Sequence, residues 1–398
     1  MTRLLAVLLF TLLLLFVSES RAKQVLPEQV GAAQLEEYLP LLKGKRVGMV
    51  VNQTSAAEGQ HLVDLLLSHK VNVQAIFAPE HGFRGDQGAG EIIKSGYDVK
   101  TGIKIVSIYG KNKRPSKEIM ANLDIIIFDV QDVGVRFYTY ISSMHYMMQA
   151  AAESGLEFVV LDRPNPNIQH IDGPILQDQF RSFVGMHPIP VLHGLTVGEL
   201  AKMIVGEGWL SINAANKSQH QILKLTVVPV KDYSREDFYS LPIPPSPNLP
   251  NDIAIQLYPS LCFFEATPIS IGRGTDFPFQ VVGYDKSKLN SGEFEFSPRK
   301  IPHAAPYPKL EGVPLVGTDL RGADIVGLEL ATFISWYQKF QQLDEKFFER
   351  ASFMDKLAGT DQLRLDIEAG KTEAQIRAQW QRDLAEFNIK KAPYLIYQ

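Results

Sequence analysis

Only one cysteine, Cys262, occurs in the 398 residues, so the chain can form neither an internal disulfide nor a cysteine-built zinc site. A basic excess is also missing: 40 Lys and Arg stand against 44 Asp and Glu, a net charge of −4, which argues against a nucleic-acid partner. No Gly-x-Gly-x-x-Gly follows the first apolar segment, and no full Gly-x-x-x-x-Gly-Lys-Ser/Thr loop occurs, since Gly370-Lys371-Thr372 has Leu365 in place of the first glycine, so the usual phosphate cradles are absent. The Gly-x-Ser-x-Gly nucleophile elbow is absent as well. Neither His-x-x-x-His nor Asp-x-Asp spacing appears, and no metal or other cofactor is expected. After the first 17 residues no apolar run reaches the roughly 20 residues a membrane-spanning helix requires. What remains is the composition of a globular protein, 45% apolar and 21% charged, long enough for two or three domains.

The N-terminus reads as a secretory leader. Arg3 precedes an apolar run, Leu4 to Val17, interrupted only by Thr11, and the small residues Ser20 and Ala22 then stand two apart. Cleavage is expected near Ala22, giving residues 1–22 as signal peptide. The mature protein is expected to be exported, periplasmic or secreted, without stable membrane insertion.

From Lys45 to about Pro229, short apolar runs alternate with amphipathic stretches. Arg46–Val51, Val71–Ala78, Ile103–Ile108, Leu123–Val130 and Leu156–Leu161 read as strands. Their apolar residues are continuous rather than alternating, as in a parallel sheet buried on both faces. His61–His69, Ser116–Ala121 and Tyr140–Glu153 read as the intervening helices, and Ile222–Val230 as a further strand. Thr196, with Glu199 three residues on, forms the signature of a capping box that opens a helix to Gly206. This repetition predicts an open α/β sheet with right-handed crossovers. The segment from Leu241 to Pro250 carries five prolines, too many for helix or central strand, and reads as a rigid wall or a linker. Beyond it the pattern is mixed, with a strand at Val281–Tyr284 and helices at Asp324–Phe340 and Thr372–Phe387. The expected division is residues 23–230 and 231–398.

In open α/β sheets the ligand lies beyond the carboxyl ends of the strands. Those ends read Val51-Asn52-Gln53-Thr54, Ala78-Pro79-Glu80-His81, Tyr109-Gly110, Asp129-Val130-Gln131-Asp132 and Asp162-Arg163-Pro164. Glu80 is the leading candidate for chemistry, because partial burial after an apolar strand favours the protonated, proton-donating form of a carboxyl. Asp129 and Asp132 offer a second carboxylate; a strand-end Asx turn and a salt bridge to Arg136 are the structural alternatives. His81 and His193 each precede a glycine, and Gly272-Arg273-Gly274-Thr275 looks like an anion-binding turn. Phe83, Phe137, Tyr138, Tyr140, Tyr258, Phe263 and Phe264 lie in or beside these loops, a supply of aromatic faces that suits a sugar.

Several strings together resemble the exo-β-N-acetylmuramidase family of peptidoglycan turnover. They are Ala78-Pro-Glu-His-Gly-Phe-Arg-Gly85, Phe128-Asp-Val-Gln-Asp-Val-Gly134 with Arg136 and Tyr138-Thr-Tyr140, Leu161-Asp-Arg-Pro-Asn-Pro166, and His193-Gly-Leu-Thr-Val-Gly-Glu-Leu-Ala201. Pro245-Ser-Pro-Asn-Leu-Pro250 and Tyr258-Pro-Ser-Leu-Cys-Phe-Phe-Glu265, running into Gly272–Thr275, follow in the same order. The resemblance implies a Rossmann-like domain, a smaller mixed α+β C-terminal domain and an active site between them. It further implies release of N-acetylmuramic acid from the non-reducing ends of peptidoglycan fragments, with muropeptides or disaccharides as substrates. The family's catalytic glutamate falls on Glu80. Where the family usually reads Phe/Leu-Glu-Gly-Thr-Asn, this chain has Phe264-Glu265-Ala266-Thr267-Pro268.

On this reading Glu80 is the general acid, and Asp129, Asp132, Glu265 or the substrate's own acetamido oxygen is its partner. The lactyl carboxylate of muramic acid calls for a cation, with Arg273, Arg136, Arg84 and Arg163 as candidates in that order. Asn52, Gln131, His193 and Asn248 would hold hydroxyls and the acetamido group, beside His81 and Tyr138. Two other classes stand against this one: a periplasmic muropeptide- or sugar-binding protein without catalysis, and a metal-assisted hydrolase.

Overall fold

The computed structural model describes residues 22–84, 95–210, 223–289 and 292–398. The leader expected at 1–22 thus lies, apart from Ala22, outside the described residues, as does Gly85 of the Glu80 string.

Seven strands form the main sheet: β1 (Arg46–Val51), β2 (Asn72–Ala78), β3 (Gly96–Tyr97), β4 (Lys104–Ser107), β5 (Ile125–Asp129), β6 (Glu157–Leu161) and β7 (Leu225–Val228). Their order is β7-β6-β5-β1-β2-β4-β3, with every pairing parallel except the short edge pair β3–β4. The continuous apolar runs are explained by two cores. Val50, Phe77, Ile126, Phe128, Phe158 and Val160 enter one, while their chain neighbours Val51, Met49, Ile76, Ile127, Val159 and Leu161 enter the other. Alternate side chains point to opposite faces, so a strand covered on both faces must be apolar at every position.

Helices α1 (Leu35–Leu42) and α2 (Leu62–Ser68) lie over the second core, with the N-terminal segment around Val25 and Val30. α3 (Lys117–Met120), α4 (Tyr140–Ser154) and α5 (Val197–Gly206) contribute to the first. Thr196 caps α5 through the expected capping box, its hydroxyl accepting from Glu199 N while Glu199 Oε2 accepts from Thr196 N. Successive strands step outward from β1 in one direction through β2 and in the other through β5, which puts a topological switch at the carboxyl ends of these strands.

The first core continues without a break into the C-terminal half, through Tyr258, Phe263, Phe333, Trp336 and Phe347. That half holds α6 (Asp252–Leu261), a three-stranded antiparallel sheet β8 (Val281–Asp285), β9 (Phe294–Phe296) and β10 (Leu315–Asp319), and helices α7 (Ala331–Gln342), α8 (Ala351–Ala358), α9 (Gln362–Glu368) and α10 (Glu373–Lys391). The helix expected at Asp324–Phe340 starts later, at Ala331. Gly327 before it takes φ +77°, outside the helical region. α6, α8 and α9 carry no clear signal in the sequence. α6 holds Pro259 and the other two are short. The last residues return to the first domain, where the Tyr397 hydroxyl donates to Asp162 Oδ2 (2.7 Å) and Ile396 N donates to Glu199 Oε1 (2.9 Å).

Candidate active site

β2 delivers Glu80 two residues past its last apolar position. The Tyr109 hydroxyl, just beyond β4, donates to Glu80 Oε1 at 2.7 Å, and Thr139 Oγ1, at the start of α4, donates to Oε2 at 2.6 Å. Three separate elements therefore fix one half-buried carboxyl. The chain then turns through His81 at φ +70° and Gly82 at φ +79°, which carries it away from the strand direction. Burial, and next to it the charge of Glu80, pushes the Tyr109 phenol above its usual range, so this donor keeps its proton.

Glu80 opens onto a cavity of about 630 Å³, within the range of small-molecule sites. The wall from the first domain is Glu80, His81, Tyr109, Tyr138 and Thr139. The proline-rich segment forms another wall, through Ser246, Asn248 and Leu249. It is rigidly placed: Gln53 Nε2 donates to the carbonyls of Pro244 and Pro245 (both 3.1 Å), and the Tyr140 hydroxyl donates to Pro245 O (3.1 Å). Asn248 Nδ2 donates to Ala304 O at 2.7 Å, and its Oδ1 is buried without a partner among the described residues. Tyr138, Phe137 and Tyr258 meet edge to face at 5.5–5.7 Å, an aromatic lining for the same hollow.

The far wall is charged. Glu265 sits in a short turn, Cys262–Ala266, and accepts from Arg273 Nε at 2.6 Å. Burial alone would raise its pKa, but Arg273 and Lys309 outweigh that and hold it below the usual carboxylate value. Arg273 also lies on the Phe279 ring, 4.8 Å from its centre. Lys309 directs its ammonium at the carbonyls of Phe264, Glu265 and Thr267 (2.6–3.2 Å). Ala266 adopts an ordinary negative φ, so this turn does not depend on glycine there.

The remaining candidates lie off this cavity. Asp129 is fully buried in a bidentate pair with Arg163 (2.5 and 3.0 Å), and Arg163 borders a different hollow of about 390 Å³ beside Gln53 and Tyr239. Asp132 accepts from Gly134 N at 2.7 Å, the Asx-turn alternative, and burial raises it to about 7. Arg136 is fully buried and donates to four carbonyls, of Pro174, Ile189, Leu357 and Ala358, so it ties the two halves of the chain together. Its burial lowers it to about 9. Arg84 pairs with Asp98 (3.0 Å). His193 accepts from Leu195 N through Nδ1 and is lowered by burial to about 3. Asn52 accepts from Thr54, and Gln131 donates to the carbonyls of Asp132 and Pro164. Tyr109, Thr139, Lys309 and Arg350 belong to the cavity but were not among the sequence candidates. Tyr109 follows a strand and Thr139 lies within Tyr138-Thr-Tyr140, so both have a positional signal. Lys309 stands in irregular chain and has none. Among the described residues no group of three or more His, Cys, Asp or Glu side chains is gathered as a metal site would require.

The N-terminal domain model of the exo-β-N-acetylmuramidase NamZ family matches residues 47–253, and the C-terminal domain model of the same family matches residues 256–397. The chain belongs to this family. The NamZ domain models meet at the start of α6, next to the proline-rich wall. Peptidoglycan β-N-acetylmuramidase NamZ of Bacillus subtilis is 39% identical over 383 residues, covering 91% of this chain and 89% of that protein. Two crystal structures of DUF1343-family proteins from Bacteroides fragilis share the fold. One has a TM-score of 0.82 at 43% identity and the other 0.77 at 29%, each covering 93% of this chain and 98% of its own.

Proposed function

We propose that this chain is an exo-acting β-N-acetylmuramidase that releases N-acetylmuramic acid from the non-reducing ends of peptidoglycan fragments. The observation that carries the reading is a NamZ-family chain, matched over nearly its full length, with a carboxyl held at the wall of an aromatic-lined, charged cavity. Glu80 is the proton donor to the leaving oxygen. As the bond from the anomeric carbon to that oxygen breaks, water supplies hydroxide to the carbon and, in net, restores the proton to Glu80. Glu265, kept ionised by Arg273 and Lys309, suits an electrostatic role toward the developing positive charge rather than proton donation. Either Glu265 or the substrate's acetamido oxygen then assists at the anomeric carbon.

A non-catalytic muropeptide-binding protein is not favoured, because the family relative with a named activity is a muramidase. Incubation with the disaccharide N-acetylmuramyl-N-acetylglucosamine, followed by mass spectrometry, tests the assignment. Free N-acetylmuramic acid should accumulate; binding without any release would return the chain to the binder class.

The leader pattern at residues 1–22 supports an exported, periplasmic or secreted enzyme, where peptidoglycan fragments are met. N-terminal sequencing of the mature protein should begin at Lys23, and an intact Met1 on exported protein would contradict cleavage.

A further inference from the structure

We infer that Arg350 is the residue that recognises the carboxylate of the substrate, and so sets the preference for muramic acid over N-acetylglucosamine. The inference rests on the muramidase reading above. Three cations line the cavity, Arg273, Lys309 and Arg350, against two carboxylates, Glu80 and Glu265. The cavity therefore carries at least one positive charge in excess, and the question is which cation is available to a ligand. Lys309 has three N–H groups and directs them at three carbonyls, so its donors are used. Arg273 gives its Nε–H to Glu265 at 2.6 Å, and its charge is neutralised in that pair. Arg350 differs from both. Its guanidinium is exposed and has no hydrogen bond or ion pair among the described residues.

It is nonetheless well placed. The Arg350 backbone N–H donates to Ala266 O at 3.0 Å, fixing it against the turn that carries Glu265. Arg350, just before α8, lines the cavity together with Phe353 and Leu357 of that helix, and its guanidinium carbon lies 4.2 Å from the centre of the Phe353 ring. An arginine placed over a ring still offers its N–H edge, and that edge accepts a carboxylate with two parallel bonds. Arg273, first in the order drawn from sequence, instead holds Glu265 in place.

Two carboxylates could use this edge: the lactyl group of unsubstituted muramic acid, or the terminal carboxylate of a stem peptide whose first residue has converted the lactyl group to an amide. The test is steady-state kinetics of wild type, Arg350→Ala and Arg350→Lys on three nitrophenyl glycosides: the muramide, its lactyl methyl ester and its L-alanyl amide. Loss of a charge-assisted bidentate contact should raise KM for the muramide about ten- to a hundredfold with kcat nearly unchanged, with partial recovery in the lysine variant. The ester, which has no charge, should respond little. An effect on the alanyl amide alone would overturn the lactyl assignment in favour of the peptide. Equal KM changes for acid and ester, or none, would overturn the inference altogether. Wild type inactive on every muramide would instead sink the activity reading. The Arg350 side chain is exposed, and unchanged thermal melting of the variants separates recognition from folding.

Discussion

Arginines of one charge meet four fates in this molecule, and burial and partners decide each. Arg163 neutralises Asp129, Arg136 satisfies four carbonyls, Arg273 restrains Glu265, and Arg350 lies over Phe353 at the cavity wall. None of this is visible locally, because Asp129 is 34 residues from Arg163 and Leu357 is 221 from Arg136. The strand-end rule therefore leads to a rim that borders the cavity, but not to which polar side chains on it are consumed internally. Histidine shows the same principle through pH. Burial lowers His193 to about 3, well under its unfolded value near 6.5. The unfolded chain then binds more protons than the folded one between those values, so this contribution to stability is complete above pH 6.5 and is lost as pH falls. Comparing urea denaturation of wild type and His193→Gln at pH 7 and pH 5, the wild-type advantage should shrink by about 2 kcal/mol at the lower pH. An advantage that is constant or grows would show that His193 is not buried neutral.

At the level of elements, legibility followed physical signal strength. The parallel strands are readable because two-sided burial demands apolar runs, and α5 because it begins with a capping box. α8 and α9 are not, since eight and seven residues give too few turns for a periodic pattern. The loop after β5 leaves its backbone little room. Gly134 has φ +75°, and a Cβ there would come within 2.0–2.4 Å of the Asn165 side chain. Asn165 cannot easily move, because it donates to Leu195 O and accepts from Asn167 N. Gly134→Ala should thus destabilise by about 2–4 kcal/mol, read as a lower denaturation midpoint. An unchanged midpoint would mean that the loop relaxes at no cost.

For the whole molecule, the architecture explains why a glutamate far from Glu265 in sequence shares a cavity with it. One core runs through both halves, Arg136 ties them together, and the C-terminal tail returns to Asp162 and Glu199. The cleft is thus a built feature of a single packed body, with the sheet rim on one side and the Glu265 turn on the other. The sheet and the proline-rich wall could be foreseen. The charged far wall could be foreseen only in part, because it is assembled from irregular segments with no repeating pattern. The central claim is that Glu80 gives a proton to the departing sugar, and leaving-group dependence tests it most directly. Glu80→Gln, with unchanged thermal melting, should be compared with wild type on the muramyl-N-acetylglucosamine disaccharide and on the nitrophenyl muramide. Turnover of the disaccharide, whose leaving oxygen needs the proton, should fall at least about a hundredfold, and the nitrophenyl substrate should suffer much less. Near-normal turnover of the disaccharide, or equal losses on both substrates, would contradict the claim.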